Sequence, residues 1–258
     1  LFRTIILVLL ALSVSAISVD SLIRQFEDRR MIFLARKFEQ GPRPTLDYIR
    51  ANAPWVENDY TAHCLAVSTK ARLSVALSYL DAALGEANFA IIDRAREMAA
   101  RAARERLSCV PADGNAWLRL FAVDIIRQGV TPQVQQQLLL SYRYAPLEEW
   151  VMSLRLPLAG DLTYRGNLGY DAQVEREFRA FVALGRNIEI PMSLLARFPE
   201  KLAGLMPSIV PLVSRERQNH IRYWAEQIDL NIGMPTEMVE IKDPFTGQVM
   251  IRRAAPVR

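Results

Sequence analysis

Apolar positions along the chain fall into two regimes, one continuous block and then a long series of helical stripes. From Thr4 to Val19 no residue is charged, and from Thr4 to Ile23 only Asp20 interrupts the apolar run. At about 1.5 Å per residue such a run spans roughly 30 Å as a helix, the thickness of a bilayer's hydrocarbon core. It fits a single transmembrane helix. The run also fits a cleaved signal peptide, with Arg3 as a minimal basic region and Val14-Ser15-Ala16 as a small-residue cleavage site, or a buried core helix. The apolar pattern continues through Phe26 and Phe33, which favours a retained anchor whose helix runs on to about Phe38.

Gly41-Pro42-Arg43-Pro44 ends that first stretch, because proline lacks a donor and pushes its neighbour out of the α region. Thr45 is placed to cap a short helix to about Asn52. Leu73, Ala76, Leu77, Leu80 and Leu84 then recur on one helical face within a helix expected over 61–84. Gly85 closes it, and Asn88 caps a second helix that carries Phe89, Ile92, Ala95, Ala99 and Leu107 up to Cys109. A short link between two long helices makes an antiparallel hairpin. The start of the first then lies beside the end of the second, which brings Cys64 and Cys109 together as a candidate disulfide.

Further helices are expected around Trp117 to Ile125, Val134 to Tyr142, and from Pro146 through Trp150, Val151 and Leu154. Gly160 to Tyr170 reads as a glycine-rich connector, and lacks the Gly-Lys-Ser/Thr ending of a phosphate-binding loop. Helical stripes resume with Val174, Phe178, Phe181 and Val182, and again from Ser214 to Ile228. Between them Pro191, Pro199, Pro207 and Pro211 allow only short helices. The tail changes character, since 237–242 and 248–252 read as two short strands around Asp243-Pro-Phe-Thr-Gly247. The expected organisation is an anchor and juxtamembrane helix over 1–40, a helical region over 41–160, a second over 161–232, and a tail over 233–258. The fold class is all-α, with a short β-hairpin or disordered tail.

The stretch Pro111-Ala-Asp-Gly-Asn-Ala-Trp-Leu-Arg-Leu-Phe-Ala resembles the junction of two tetratricopeptide repeats, in which a proline ends one helix pair and a tryptophan opens the next. Trp117 and Trp150 stand 33 residues apart, close to the 34-residue period of that family. The resemblance covers roughly 88–159 and implies that Trp117, Leu120 and Trp150 pack in the grooves between paired helices. Phe121 and Asp124 depart from the family's glycine and tyrosine. The resemblance further implies a protein of the bacterial cell envelope, including small anchored proteins of polysaccharide export.

Composition and charge change this picture little. The 258 residues are 51% apolar and 23% charged, and the net charge of +4 is spread among 28 acidic residues. No basic block is interleaved with aromatics, so nucleic acid is not an expected partner. Arginine outnumbers lysine 28 to 4, a bias that either serves bidentate pairing or follows from a GC-rich genome. The placement of the body is open: Arg24, Arg29, Arg30, Arg36 and Lys37 after the apolar run favour the cytoplasm. Two cysteines favour an oxidising compartment.

Chemistry is sparse. His63 and His220 are the only histidines, no Cys-x-x-Cys spacing supports a metal, and no Gly-x-Ser-x-Gly turn presents a nucleophile. Gly204-Leu205-Met206-Pro207 resembles the Gly-Leu-Met-Gln of lytic transglycosylases, with Glu189 upstream as the acid, although Ile190 and Pro207 depart from that pattern. Tyr142, Arg143 and Tyr144, with Tyr164, Arg165, Arg222 and Tyr223, are candidate interface residues, since both types concentrate at hot spots. The expectation is a non-enzymatic scaffold without cofactor or metal. It would be held by one span in the bacterial inner membrane, its body in the periplasm, binding a protein partner in the membrane or envelope. A subunit of a larger membrane complex and a peptidoglycan-cleaving enzyme are the alternatives.

Overall fold

The structure, a computed structural model, describes residues 26–57, 64–166 and 168–229, together with the backbone of 239–242 and 249–252. The apolar run Thr4 to Ile23 lies outside the described residues, as does His63. Among the described residues no helix is long and apolar enough to cross a membrane. The architecture is all-helical apart from the tail, and the chain forms two compact units, 1–141 and 142–258. The boundary expected at 160 falls inside a helix.

In the first unit, helix α1 covers 26–40 and turns Asp28, Met31, Leu34 and Ala35 inward. Thr45 caps α2 (Leu46–Asn52) by accepting from the Tyr48 backbone N–H at 3.3 Å. A 3₁₀ turn, Pro54–Val56, follows. α3 (Ala66–Leu84) and α4 (Phe89–Cys109) form the expected hairpin, with the Asn88 side chain accepting from the N–H groups of Ala90 and Ile91. The face expected on α3 is only half of what it buries. Ala71, Val75, Tyr79 and Ala83 pack into a cluster with Met31, Leu34, Leu46 and Ile49, while Leu73 and Ala76 join Ala99, Ala103, Leu107 and Leu120 in another. α3 is therefore a central helix, covered on two sides, and Leu84, expected on the buried face, stands in solvent. Small side chains line both buried faces of the hairpin: Ala71 and Ala95 in the first cluster, and Ala76, Ala99, Ala100, Ala102 and Ala103 in the second, which favours close approach of α3 and α4.

The end of α4 is fastened to the start of α3 twice. Cys64 and Cys109 are joined in a disulfide, with Cα atoms 5.2 Å apart. Arg106 donates to the Ala66 carbonyl, to Thr69 Oγ1 at 3.0 Å and to Asp113 Oδ2 at 2.7 Å. Asp113 also caps α5 (Gly114–Gln128) through the Ala116 N–H, so one arginine ties three elements together. Gly129 ends α5 at φ +69°, a left-handed conformation that a side chain would strain. α6 (Pro132–Tyr144) follows, and its Gln137 donates to Asp124 of α5 at 3.0 Å, beside Arg104 of α4 on the same carboxylate.

In the second unit, α7 (Glu149–Gly166) runs six residues past the point where a connector was expected to begin. Gly160 is there because a Cβ would lie 2.7 Å from both methyl carbons of Leu194, so the absent side chain lets α9 pack against α7. The connector is confined to the residues before α8 (Asp171–Leu184). α9 (Glu189–Arg197), α10 (Pro199–Leu202) and α11 (Met206–Ile209) are short, as their prolines require. Ser214 caps α12 (Arg215–Gln227), whose Arg217 donates to the Val182 and Phe181 carbonyls and whose Gln218 donates to those of Val210 and Val213. In the tail, β1 (Val239–Lys242) pairs antiparallel with β2 (Val249–Arg252), Val239 opposite Arg252.

Candidate interaction surface

The junction of α6 and α7 carries a buried ion pair beneath an exposed apolar stripe. Arg155 and Glu177 are both buried, with side-chain exposures of 0% and 2%. Arg155 Nε and Nη2 donate to Glu177 Oε1 at 2.9 and 2.5 Å, and Nη2 also donates to the Ala145 carbonyl at 2.9 Å. The guanidinium lies 4.2 Å from the centre of the Tyr142 ring, a cation–π contact in a desolvated setting. One side chain thereby joins α7 to α8 and to the residue that follows α6.

Glu177 Oε2 and the Tyr142 hydroxyl are buried in the same enclosure, where each acts on the other. Burial raises the Glu177 carboxyl above the usual glutamate value, against the opposing pull of Arg155. Burial likewise raises the Tyr142 phenol well above its ordinary value, and the Glu177 charge adds to this. Both shifts follow from enclosure, and such a pair fixes geometry more than it stabilises the fold.

That geometry sets the phase of α7. With Arg155 inward, Val151, Met152, Leu156 and Ala159 also face inward, and the opposite side of the first two turns is left outside. Trp150 and Leu154 are the result, exposed by 51% and 39%, and Leu147, in the bend just before α7, is exposed by 67% beside them in sequence. Trp150 therefore does not fill a groove between helices as the repeat resemblance implied, because its neighbour Val151 takes the inward position. At the rim, Arg143 stacks 5.6 Å from the Tyr144 ring centre, and Glu149 accepts from the Arg186 backbone N–H. Leu184, two residues before Arg186, is exposed as well.

The remaining expected residues are dispersed. Trp117 is half-buried against the α3–α4–α5 cluster and donates its indole N–H to the Pro111 carbonyl at 2.8 Å, while Leu120 is buried in that cluster. Of the three interface candidates, Arg143 is exposed and Tyr144 half-buried, but Tyr142 is enclosed with Arg155 and cannot touch a partner. Tyr164 and Arg165 face the Phe198 ring, and Tyr223 packs edge-on to Trp224. Glu189 is exposed at the first position of α9, whereas Met206 is buried at the start of α11.

Leu147 and the Arg155–Glu177 pair were not singled out from the sequence, and Leu154 stands there only as part of a helical stripe. The available signal was phase: Val151, Arg155 and Ala159 form one stripe in which an arginine sits among core residues. Among the described residues no three His, Cys, Asp or Glu side chains gather as metal ligands. A cleft lined by Trp55, Arg72, Met98 and Arg101 has room for little more than a water molecule. Comparison with protein-family models, with curated proteins and with solved structures gives no match to this chain.

Proposed function

We propose that this protein is a membrane-anchored helical scaffold that binds a protein partner in the bacterial envelope, within a polysaccharide assembly or export system. The observation that carries the binding claim is the stripe Leu147, Trp150 and Leu154, solvent-exposed over a rigid, ion-paired base. Exposed tryptophan on a preorganised helix is the kind of anchor that concentrates binding energy. The apolar run before α1 supports single-pass anchoring, and the Cys64–Cys109 disulfide supports a periplasmic body. Packing of Trp117 and Leu120 at the α4–α5 seam supports a degenerate tetratricopeptide-like hairpin there. The polysaccharide setting rests on that resemblance alone.

Photo-crosslinking residues placed at 147, 150 and 154 in native membranes test the reading, with exposed Lys70 and Glu86 as control positions. The stripe positions should give one adduct of discrete mass that the controls lack. Trp150→Ala should abolish it, a loss of about 2 kcal/mol or more in binding, while the melting temperature stays within a few degrees. No adduct, or the same adducts at Lys70 and Glu86, would remove the scaffold assignment.

A further inference from the structure

Helix α1 has two working faces, and the core uses one of them. Asp28, Met31, Leu34 and Ala35 are buried against α2 and α3, and Phe38 packs partly on the same side. On the other side Phe26 and Phe33 are exposed by 62% and 66%, although both are large, apolar and a full two turns apart. Arg29, Arg30, Arg36 and Lys37 are exposed with them. At about 100° per residue all four cations and Phe33 fall within roughly 80° of Phe26 around the helix axis. Glu27 and Glu39 lie roughly 100° and 140° away, on the flanks.

The charge of this face is not neutralised from nearby. Among the described residues no carboxylate pairs with Arg29, Arg30 or Arg36 in a salt bridge, and Lys37 is held by a neutral group, donating to the Tyr48 hydroxyl at 2.6 Å and lying over its ring. Four cations over about 12 Å of helix, with Phe33 among them and Phe26 one turn before, form a surface that fits anions arranged in a plane above an apolar layer. A bilayer with anionic headgroups is such a surface: basic side chains meet phosphates, and aromatic rings settle at the boundary with the acyl chains. The sequence adds position, since Phe26 comes three residues after Ile23, the end of the apolar run.

We infer that the outer face of α1, Phe26, Arg29, Arg30, Phe33, Arg36 and Lys37, lies along the membrane surface and binds anionic phospholipid headgroups. This rests on the anchoring reading but replaces its single straight helix to Phe38: α1 lies along the bilayer instead of continuing the span, and the first unit is held flat on the membrane rather than swinging from a tether. An acidic protein surface would meet the same charges, but it would have no need of two large apolar rings standing exposed among them.

The test uses the full chain in lipid nanodiscs, either of phosphatidylcholine alone or with about a third phosphatidylglycerol. Because both native cysteines are joined, Phe33→Cys gives one free thiol for an environment-sensitive fluorophore under non-reducing conditions. In anionic discs the probe should emit to the blue and be quenched by lipids spin-labelled near the headgroup. High salt or Arg29→Glu/Arg30→Glu should reduce that quenching at least threefold, with the far-ultraviolet dichroism unchanged. A probe that stays water-like in both lipids, on a chain that co-elutes with the discs, overturns the inference and leaves the anchor standing. A chain that does not enter the discs removes both. A blue shift in native membranes only, absent from lipid discs, assigns the face to a protein and also overturns it.

Discussion

Removing the Cys64–Cys109 disulfide gives the most quantitative test of how the first unit is held. The bond closes a loop over a separation of 45 residues, which includes all of α3 and nearly all of α4. In the chain-entropy account, opening a loop of that size releases about 4 kcal/mol of unfolded-state entropy at 25 °C. For a unit of this size that corresponds to a fall of roughly 15 °C in melting temperature. The assay is thermal unfolding of Cys64→Ser/Cys109→Ser in mild detergent, with hydrogen exchange of peptides from α3 and α4 to locate the loss. Arg106 sharpens the reasoning, because it fastens the same two helix ends through Ala66 and Thr69. If the disulfide acts on the unfolded chain, its loss and that of Arg106→Ala should add within about 0.5 kcal/mol. A melting temperature lowered by less than about 3 °C, or strong coupling between the two changes, would refute the entropic argument and place the effect in the native state.

Two further expectations concern the second unit and the carboxylates. Gly160→Ala should cost about 1–3 kcal/mol in thermal or urea unfolding by forcing Leu194 aside, and Leu194→Ala in the same chain should restore part of it. Glu57 and Glu177 should titrate with opposite signs. Glu57 accepts from the Tyr79 hydroxyl at 2.6 Å and from Arg50, which lowers its carboxyl; its contribution is full above the ordinary glutamate value and is lost as pH falls through the lowered one. The buried Glu177 carboxyl is raised, so its ionisation costs stability as pH climbs from the ordinary value through the raised one. Urea midpoints of Glu57→Gln should therefore lose part of the acid sensitivity and those of Glu177→Gln should lose the opposing slope, whereas unchanged pH profiles in both would refute these assignments.

The parts of the fold that were legible in the sequence are those with local causes. Thr45 and Asn88 cap helices with their own side chains, Gly85 and Gly129 end them, and the prolines after 190 shorten those that follow. The Cys64–Cys109 pairing was legible because hairpin geometry needs only two helices of similar length. What sequence reasoning missed depends on contacts distant in the chain. Gly160 reads as a breaker until Leu194 is known to occupy the space of its side chain. α3 shows one stripe clearly, while its second buried face, Ala71 to Ala83, is marked mostly by small residues that carry little periodic signal. Trp150 was expected in a groove because the repeat resemblance places a tryptophan there, yet Arg155 is the residue that α7 turns inward, toward Glu177.

The arginine excess also takes on meaning in the structure. Arg72 meets Glu105 at 3.0 Å, and Arg104, Arg106 and Arg155 meet Asp124, Asp113 and Glu177, each joining separate elements. Lysine, a point charge on a flexible stem, has no planar fork with which to bring two nitrogens to one carboxylate and a ring-stacking face to Tyr142 as Arg155 does. Codon usage accounts for neither this placement nor the choice of buried positions.

A seam of methyl groups has no teeth. Alanines along α3 and α4 let the two rods come near, but offer little to stop one sliding past the other, so alignment must be supplied from elsewhere. Here it is supplied mainly toward one end, by cystine, Arg106 and the Arg72–Glu105 pair, and farther along only through Glu57, which Tyr79 of α3 and Arg94 of α4 both reach. The tip, where Leu84 and Phe89 stand in water, lies beyond all of these fastenings, so loosening of the hairpin should begin there.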